Sequence, residues 1–347
     1  MKLETINVEG PATGGAFDSH AHFGDDWRAV LLRAREAGMA GLVAVGCDAR
    51  TNAFALAVAQ AAPDFALLAL GFDYSSGVMP EEAIANLVAP SPTCAAAPLW
   101  GCAPAPPPSQ RGVPRRGGGS TPCGASESVG HPCETIALEE GSAASVSSRL
   151  CVSVLNPPRL AAIGEIGLDY SHPGADPVAQ RALFERQVAL AAEWGLPVIV
   201  HSREAAADTL AILRAAGSRA LAAEGRLGVL HCFVGDAAFA EEVLSLGMMV
   251  SLSGIVTFRN ADALRAVAAT IPGDRLLVET DSPYLAPVPL RGRVNEPAFI
   301  EHTVRCLAAL RNTSWEELSS QTTSNALRLF RPWQVNPQEQ GTSNCVV

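Results

Sequence analysis

Lysine is almost missing from this 347-residue chain: Lys2 is the only one, and every other basic side chain among the 25 is arginine. No segment beyond the first residues can therefore contribute a lysine to a metal site. Aromatic residues make up only 5%, which points to close packing by small side chains such as the abundant alanines. No apolar run approaches the ~18 residues of a membrane span. Positive charge is also short, with 25 Lys and Arg against 35 Asp and Glu and a net charge of −10. That argues against a protein that grips long nucleic acid through a basic surface, although metal ions could still supply the charge for chemistry on phosphates. The nine cysteines are odd in number, five of them (Cys94, Cys102, Cys123, Cys133, Cys151) share one irregular stretch, and none forms a C-x-x-C pair. Neither a disulfide framework nor a zinc site with His131 is expected. The start, "MKLETINVEGPATGG", lacks the apolar core of a signal peptide and the pattern of a transit peptide. The reading is a soluble, cytoplasmic protein, with no sign of a membrane or of a stable protein partner.

At 48% hydrophobic and 17% charged, the composition is that of a globular protein, and the length suits one α/β barrel. Eight short apolar runs read as buried strands: "GAFDSHAHF", "GLVAVGC", "FALLALGF", "LAAIGEIGLD", "LPVIVHS", "LGVLHCF", "MMVSLSG" and "RLLVETDSP". Amphipathic stretches alternate with them, among them Trp27 to Ala37, Pro177 to Trp194 and Ala237 to Leu246, with Gly38, Gly195 and Gly247 placed as C-caps. Eight such alternations predict a (β/α)8 TIM barrel. From about Pro90 to Pro158 dense Pro, Gly, Ser and Cys replace any period. The expected organisation is barrel over 1–90, a disordered low-complexity insertion over 91–157 between the third and fourth βα units, barrel again over 158–332, and a disordered tail over 333–347. Such an insertion can cost little and contribute little.

The polar residues that end the apolar runs carry the chemistry. In "AFDSHAHFGDD" His20 and His22 stand at alternate positions, which in a strand face one side. The fourth run supplies Glu165 and Asp169, the fifth His201, the sixth His231 and the eighth Asp281. These four histidines are more than half of the seven in the chain, and barrel active sites lie at the C-terminal strand ends. Taken singly, each has a plainer reading: His231 as a satisfied core residue, Glu165 or Asp281 as partner of a neighbouring arginine. Together, four imidazoles and two or three carboxylates at one barrel mouth are costly to bury without a cation. The donors suit Zn2+, Mn2+, Fe2+ or Mg2+. Six ligands are too many for one catalytic ion with an open position, so two ions ~3.5–4 Å apart with a shared bridge fit better. With Lys2 outside every strand, the bridge must be a carboxylate, and Glu165 is on the right strand. Asp169, four residues on, lies roughly 13 Å away if the strand stays extended, too far to ligate the same ions.

"DSHAHF", "GEIGLDY", "PVIVHSREA", "LHCF" and "ETDSPYLAPVPLRGRVNEP" resemble the successive signatures of the TatD family of metal-dependent deoxyribonucleases, within the amidohydrolase-like barrels. The resemblance covers Ala16 to Phe72 and Leu160 to about Phe330. It implies a TIM barrel that holds one divalent ion by His20, His22, Glu165 and Asp281 and a second by Glu165, His201 and His231, the metals being Mg2+, Mn2+ or Zn2+. It also implies metal-dependent DNA hydrolysis at ends or single strands, including 3′→5′ exonuclease action, with Glu165 and Asp281 catalytic. Three positions depart from the family pattern. In "GFDYSSG" Asp73 stands where the family places a phosphate-reaching histidine, Leu290 where a histidine or aromatic is usual, and Val294 where a basic residue is common. Arg203 and Arg291 are candidate phosphate contacts, or else structural partners of Glu204 and Glu296. The leading reading is a phosphodiester hydrolase. Hydrolysis of a small amide, lactone or ester keeps the metals and accommodates Asp73, and a non-catalytic barrel is the third reading.

Overall fold

Residues 15–73, 160–172 and 174–330 are described by a computed structural model of the chain, in which all eight apolar runs form strands. They are β1 Phe17–Ala21, β2 Gly41–Val45, β3 Ala66–Leu70, β4 Leu160–Asp169, β5 Val198–Arg203, β6 Gly228–Leu230, β7 Met248–Leu252 and β8 Leu276–Val278. Neighbours pair in parallel and in chain order. A backbone bridge between Ala21 and Ser282 joins the two ends, where the Asp281 N–H donates to His20 O at 3.0 Å and the His22 N–H to Ser282 O at 2.9 Å. The result is the expected parallel barrel. The expected insertion falls between β3 and β4. Its residues 91–157 and the tail 333–347 lie outside the described residues.

The intervening helices are α1 Trp27–Glu36, α2 Ala49–Ala61, α3 Pro177–Trp194, α4 Ala206–Ala216, α5 Arg219–Ala223, α6 Ala237–Ser245, α7 Asp262–Thr270, α8 Ile300–Leu310 and α9 Trp315–Leu329. Their ends follow local chemistry. The Asp48 carboxylate accepts from the Thr51 N–H to open α2, and Asp176 accepts from the N–H groups of Val178 and Ala179 to open α3. Gly38, Gly195 and Gly247, at φ of 71°, 64° and 75°, close α1, α3 and α6.

Strand residues of alternate parity build two cores. One cluster takes at least one side chain from every strand (Phe17, Val43, Ala69, Ala161, Ile199, Val229, Met249 and Leu277 among them) and fills the barrel. The other, with Leu42, Leu68, Val198, Val250 and Leu276, packs against the helices. Leu329 and Phe330, at the end of α9, join the inner cluster. The adjacent Asn325 donates to the carbonyls of Gly273 and Leu276 at the start of β8, and the Arg226 guanidinium donates to Arg328 O just before β6. The N-terminal end of the barrel is thus plugged, and polar groups are left for the C-terminal end.

Two register shifts re-aim the strands there. On β1, Asp18 pairs with Leu42 but Ala21 with Ala44, an extra residue at Ser19–His20. On β4, Ile163 pairs with Val198 but Ile166 with Val200, an extra residue at Gly164–Glu165. Both bulges sit at candidate site residues, where bulges are commonly found. The second is followed by Gly167, at φ 136°, where a Cβ would stand 2.0 Å from His201 O. A Gly167→Ala variant is expected to lose at least about 1–3 kcal/mol from backbone strain alone and to push β5 and His201 aside. A denaturation midpoint unchanged from wild type would contradict this packing.

Candidate metal centre

The six expected donors meet at the C-terminal mouth. His20 ends the bulged part of β1, and His22 lies one residue beyond the strand rather than within it. His201 is on β5, His231 follows β6 directly, and Asp281 follows β8 by three residues at φ 56°. Glu165 stands between two histidine pairs. Its Oε2 lies 3.4 Å from His20 Nε2 and 3.2 Å from His22 Nε2, and its Oε1 lies 3.1 Å from His231 Nε2 and 3.5 Å from His201 Nδ1. Each carboxylate oxygen therefore serves one pair. Asp281 Oδ1 adds a longer approach to the first pair, 3.9 Å from His20 Nε2 and 3.8 Å from His22 Nε2.

The donor chemistry fits divalent ions. His20 Nε2 and His22 Nε2 are 3.0 Å apart, and His201 Nδ1 and His231 Nε2 are 3.2 Å apart. Two imidazole nitrogens that face each other beside one carboxylate oxygen are a donor set suited to a divalent ion, and separations of 3.0–3.9 Å suit atoms about 2.0–2.2 Å from one small ion. His20, His22 and Glu165 form one such cluster, Glu165, His201 and His231 another, and Asp281 groups with His20 and His231.

The electrostatics favour an anionic bridge. Burial works against ionisation of Glu165, but His231 and bonds from His20, His22 and His231 outweigh it, holding the carboxyl well below its ordinary range. Burial likewise opposes the charged form of His231, yet Glu165 and Glu279 raise it well above the ordinary imidazole value. Burial, assisted by His231, pushes His20 down to about 4. Asp281 is pushed up to about 7 by burial, against the lowering effect of His231 and His22.

Outer partners orient three of the imidazoles. His22 Nδ1 lies 3.1 Å from Val45 O. His231 Nδ1 lies 3.5 Å from Glu279 Oε1, a buried carboxylate that also accepts from the Cys232 N–H at 2.6 Å. Asp169 Oδ2 lies 3.7 Å from His201 Nε2, its other oxygen being held by Ser171. Asp169 thus supports a donor without joining the Glu165 cluster. Asp18 accepts from the His20 N–H and from the N–H and hydroxyl of Thr280, tying the end of β1 to the stretch after β8. Sequence reading passed over Glu279 and Asp18. Their one signal was an acid inside an otherwise apolar run. Because outer carboxylates tune metal affinity, Asp169→Asn is expected to keep both ions while weakening retention at the His201 side by about 10–100-fold. Titration with Mn2+ followed by elemental analysis checks it, and loss of an ion at saturation would show that Asp169 is a ligand.

The remaining candidates divide. Arg203 is exposed at the end of β5 and, among the described residues, forms no ion pair with Glu204. Arg291 lies over the Phe258 ring, 3.9 Å from its centroid, and donates to Ala286 O. Glu296 is held instead by Arg33 at 2.6 Å. Neither expected Arg–Glu pair forms. Asp73 closes the stretch after β3, its N–H donating to Cys47 O at 2.8 Å. Among the described residues no helix is long and apolar enough to cross a membrane.

Comparison with known proteins finds relatives in sequence and in fold. A family model described as TatD related DNase matches residues 125–331. An uncharacterised metal-dependent hydrolase, YabD of Bacillus subtilis, is 42% identical over 173 residues, 50% of this chain and 66% of that protein, so the chain covers just under two thirds of it. A 3′-5′ ssDNA/RNA exonuclease TatD of Edwardsiella piscicida is 32% identical over 318 residues, 90% of this chain and 96% of that protein. The crystal structure of YJJV, a TatD homolog from Escherichia coli, superposes with a TM-score of 0.64 at 23% identity, covering 91% of this chain and 98% of that one, and is like it in fold.

Proposed function

This chain belongs to the TatD-related DNase family, and from that premise we propose that it hydrolyses phosphodiester bonds in DNA, at exposed ends or in single strands, with two divalent ions. The observation that carries the reading is Glu165, one carboxylate oxygen directed at each of two histidine pairs. His20, His22, Glu165 and Asp281 would hold one ion, and Glu165, His201 and His231 the other, with Mg2+, Mn2+ and Zn2+ as candidates. The ions would supply Lewis-acid activation of a water and neutralise charge that develops on the phosphoryl oxygens.

The protein's own groups do the rest. Asp281 is the proton acceptor for the attacking water, since its carboxylate lies 3.9 and 3.8 Å from His20 and His22, farther than Glu165 does, and would be the least tightly held ligand of the first ion. Arg203, exposed and without an ion pair among the described residues, and Arg291, fixed over Phe258, are the phosphate contacts. Hydrolysis of a small ester or amide is the second reading. Asp73, an acid where the family pattern has histidine, favours it. The two separate in one assay of metal-stripped and reloaded protein on a labelled single-stranded oligonucleotide and on small esters. Cleavage of the oligonucleotide that EDTA abolishes is expected. EDTA-sensitive turnover of esters alone would replace the nuclease by the second reading, and no turnover with full metal content would leave a non-catalytic barrel.

A further inference from the structure

The loops that frame the metal centre carry most of the exposed large apolar side chains. Seven such residues occur among the described ones, and four of them, Val234, Tyr284, Val288 and Val294, sit on the loops after β6 and β8, at the end of the barrel where the donors lie. Tyr284 stands out. Its side chain is 63% exposed, and its ring centroid lies 6.4 Å from that of His22, at 70° to it. A single nucleotide spans such a distance between its base and its phosphate. The backbone beneath the ring is fixed from both sides. The Tyr284 N–H donates to Asp281 O at 2.9 Å, and its carbonyl accepts from Asn295 Nδ2 at 2.6 Å. Asn295 is itself buried and also binds Thr280 O. The hydroxyl makes no hydrogen bond among the described residues. An aromatic face is thus held out to solvent, next to the donors, by a backbone with little freedom.

The charge of the chain says what such a face is for. With 35 acids against 25 bases the chain has little positive charge overall with which to hold a strand, and Asp73 stands where the family pattern has a histidine. Beyond the metal centre, Arg203 and Arg291, affinity for a single strand can come from base faces, and stacking on an aromatic ring serves any base because each has a π-face. We propose that Tyr284 is a stacking platform for the nucleobase beside the phosphodiester that is cut, and that it selects unpaired ends, since a base within a duplex is already stacked on its neighbours. This rests on the phosphodiesterase reading and adds to it the part of the substrate that is recognised.

The test compares wild type, Tyr284→Phe and Tyr284→Ala on two short single-stranded oligonucleotides, one with ordinary bases and one abasic at its 3′-terminal residues. Mn2+-loaded turnover gives KM and kcat. Fluorescence anisotropy of the same oligonucleotides, made uncleavable with phosphorothioate linkages, gives binding separately, and elemental analysis confirms equal metal content. Tyr284→Phe is expected to match wild type. Tyr284→Ala is expected to weaken binding and raise KM by about tenfold or more on the ordinary strand, with a smaller change in kcat, and to equal wild type on the abasic strand. The platform is overturned if Tyr284→Ala binds the ordinary strand as wild type does, if it loses as much on the abasic strand, or if Tyr284→Phe is as impaired as Tyr284→Ala. Wild type that cleaves no oligonucleotide yet binds the ordinary strand better than the abasic one, a preference lost in Tyr284→Ala, would overturn the nuclease reading and uphold the platform.

Discussion

Replacing Glu165 by glutamine is expected to lower the ion content of the purified protein from the proposed two per chain to at most one and to remove most hydrolysis. Two divalent ions ~4 Å apart repel by roughly 17 kcal/mol at an effective dielectric of about 20, so both remain only if an anion lies between them. Glu165 is that anion in the geometry seen here, with Oε2 3.2 Å from His22 Nε2 and Oε1 3.1 Å from His231 Nε2. Glutamine keeps the shape and one oxygen but loses the charge, and its amide nitrogen points donors at one of the histidine pairs. One ion is expected to stay on His20, His22 and Asp281. The lost charge stabilisation is worth several kcal/mol, a fall in rate of roughly a thousandfold or more. Elemental analysis and single-turnover rates measure both effects, and two ions in the Glu165→Gln protein would remove the bridging assignment.

Asp281→Asn separates proton transfer from metal retention. The Asp281 backbone is pinned by its N–H bond to His20 O, and its carboxylate reaches His20 and His22 at 3.9 and 3.8 Å, longer than either Glu165 approach to that pair. Asparagine can still present an oxygen to the first ion, so ion content should stay at two. It cannot accept a proton, and the expected loss is about 100- to 10,000-fold in kcat. The pH profile carries the signature. Burial raises Asp281 to about 7 before metal is bound, and a neighbouring cation pulls that value down. The wild-type rate should therefore climb with pH through a point below 7 as the carboxylate ionises, and the Asp281→Asn variant should lack that limb. A variant that keeps the limb would place the base elsewhere.

Much of this was readable in the residue order, for reasons specific to parallel barrels. Strands buried on both faces appear as unbroken apolar runs, so "GLVAVGC" and "LPVIVHS" announced β2 and β5, and a run stops being apolar where it reaches the active mouth. That is why His201, His231 and Asp281 could be picked out. The convergence of His20 and His22 is less legible. They converge through a bulge on β1 and a position beyond the strand, not through plain alternation, and a bulge leaves no mark in a periodicity. The Glu165 bulge also upsets the extended-strand spacing to Asp169, so the approach of Asp169 to the far side of His201 was not foreseen. Glu279 and Asp18 escaped because their role depends on which nitrogen or amide they reach. The amphipathic pattern of α9 shows that one face is buried but not that its end stoppers the barrel. The two arginine–glutamate pairs weighed from proximity in sequence do not form, since Glu296 turns to Arg33 and Arg291 to Phe258.

The central claim, one carboxylate shared by two ions, is tested most directly by anomalous diffraction from crystals of the protein loaded with Mn2+. Two peaks ~3.5–4 Å apart, one beside His20 and His22 and the other beside His201 and His231, with Glu165 between them, are predicted. A single peak at full loading, or two peaks of which Glu165 touches only one, would contradict it.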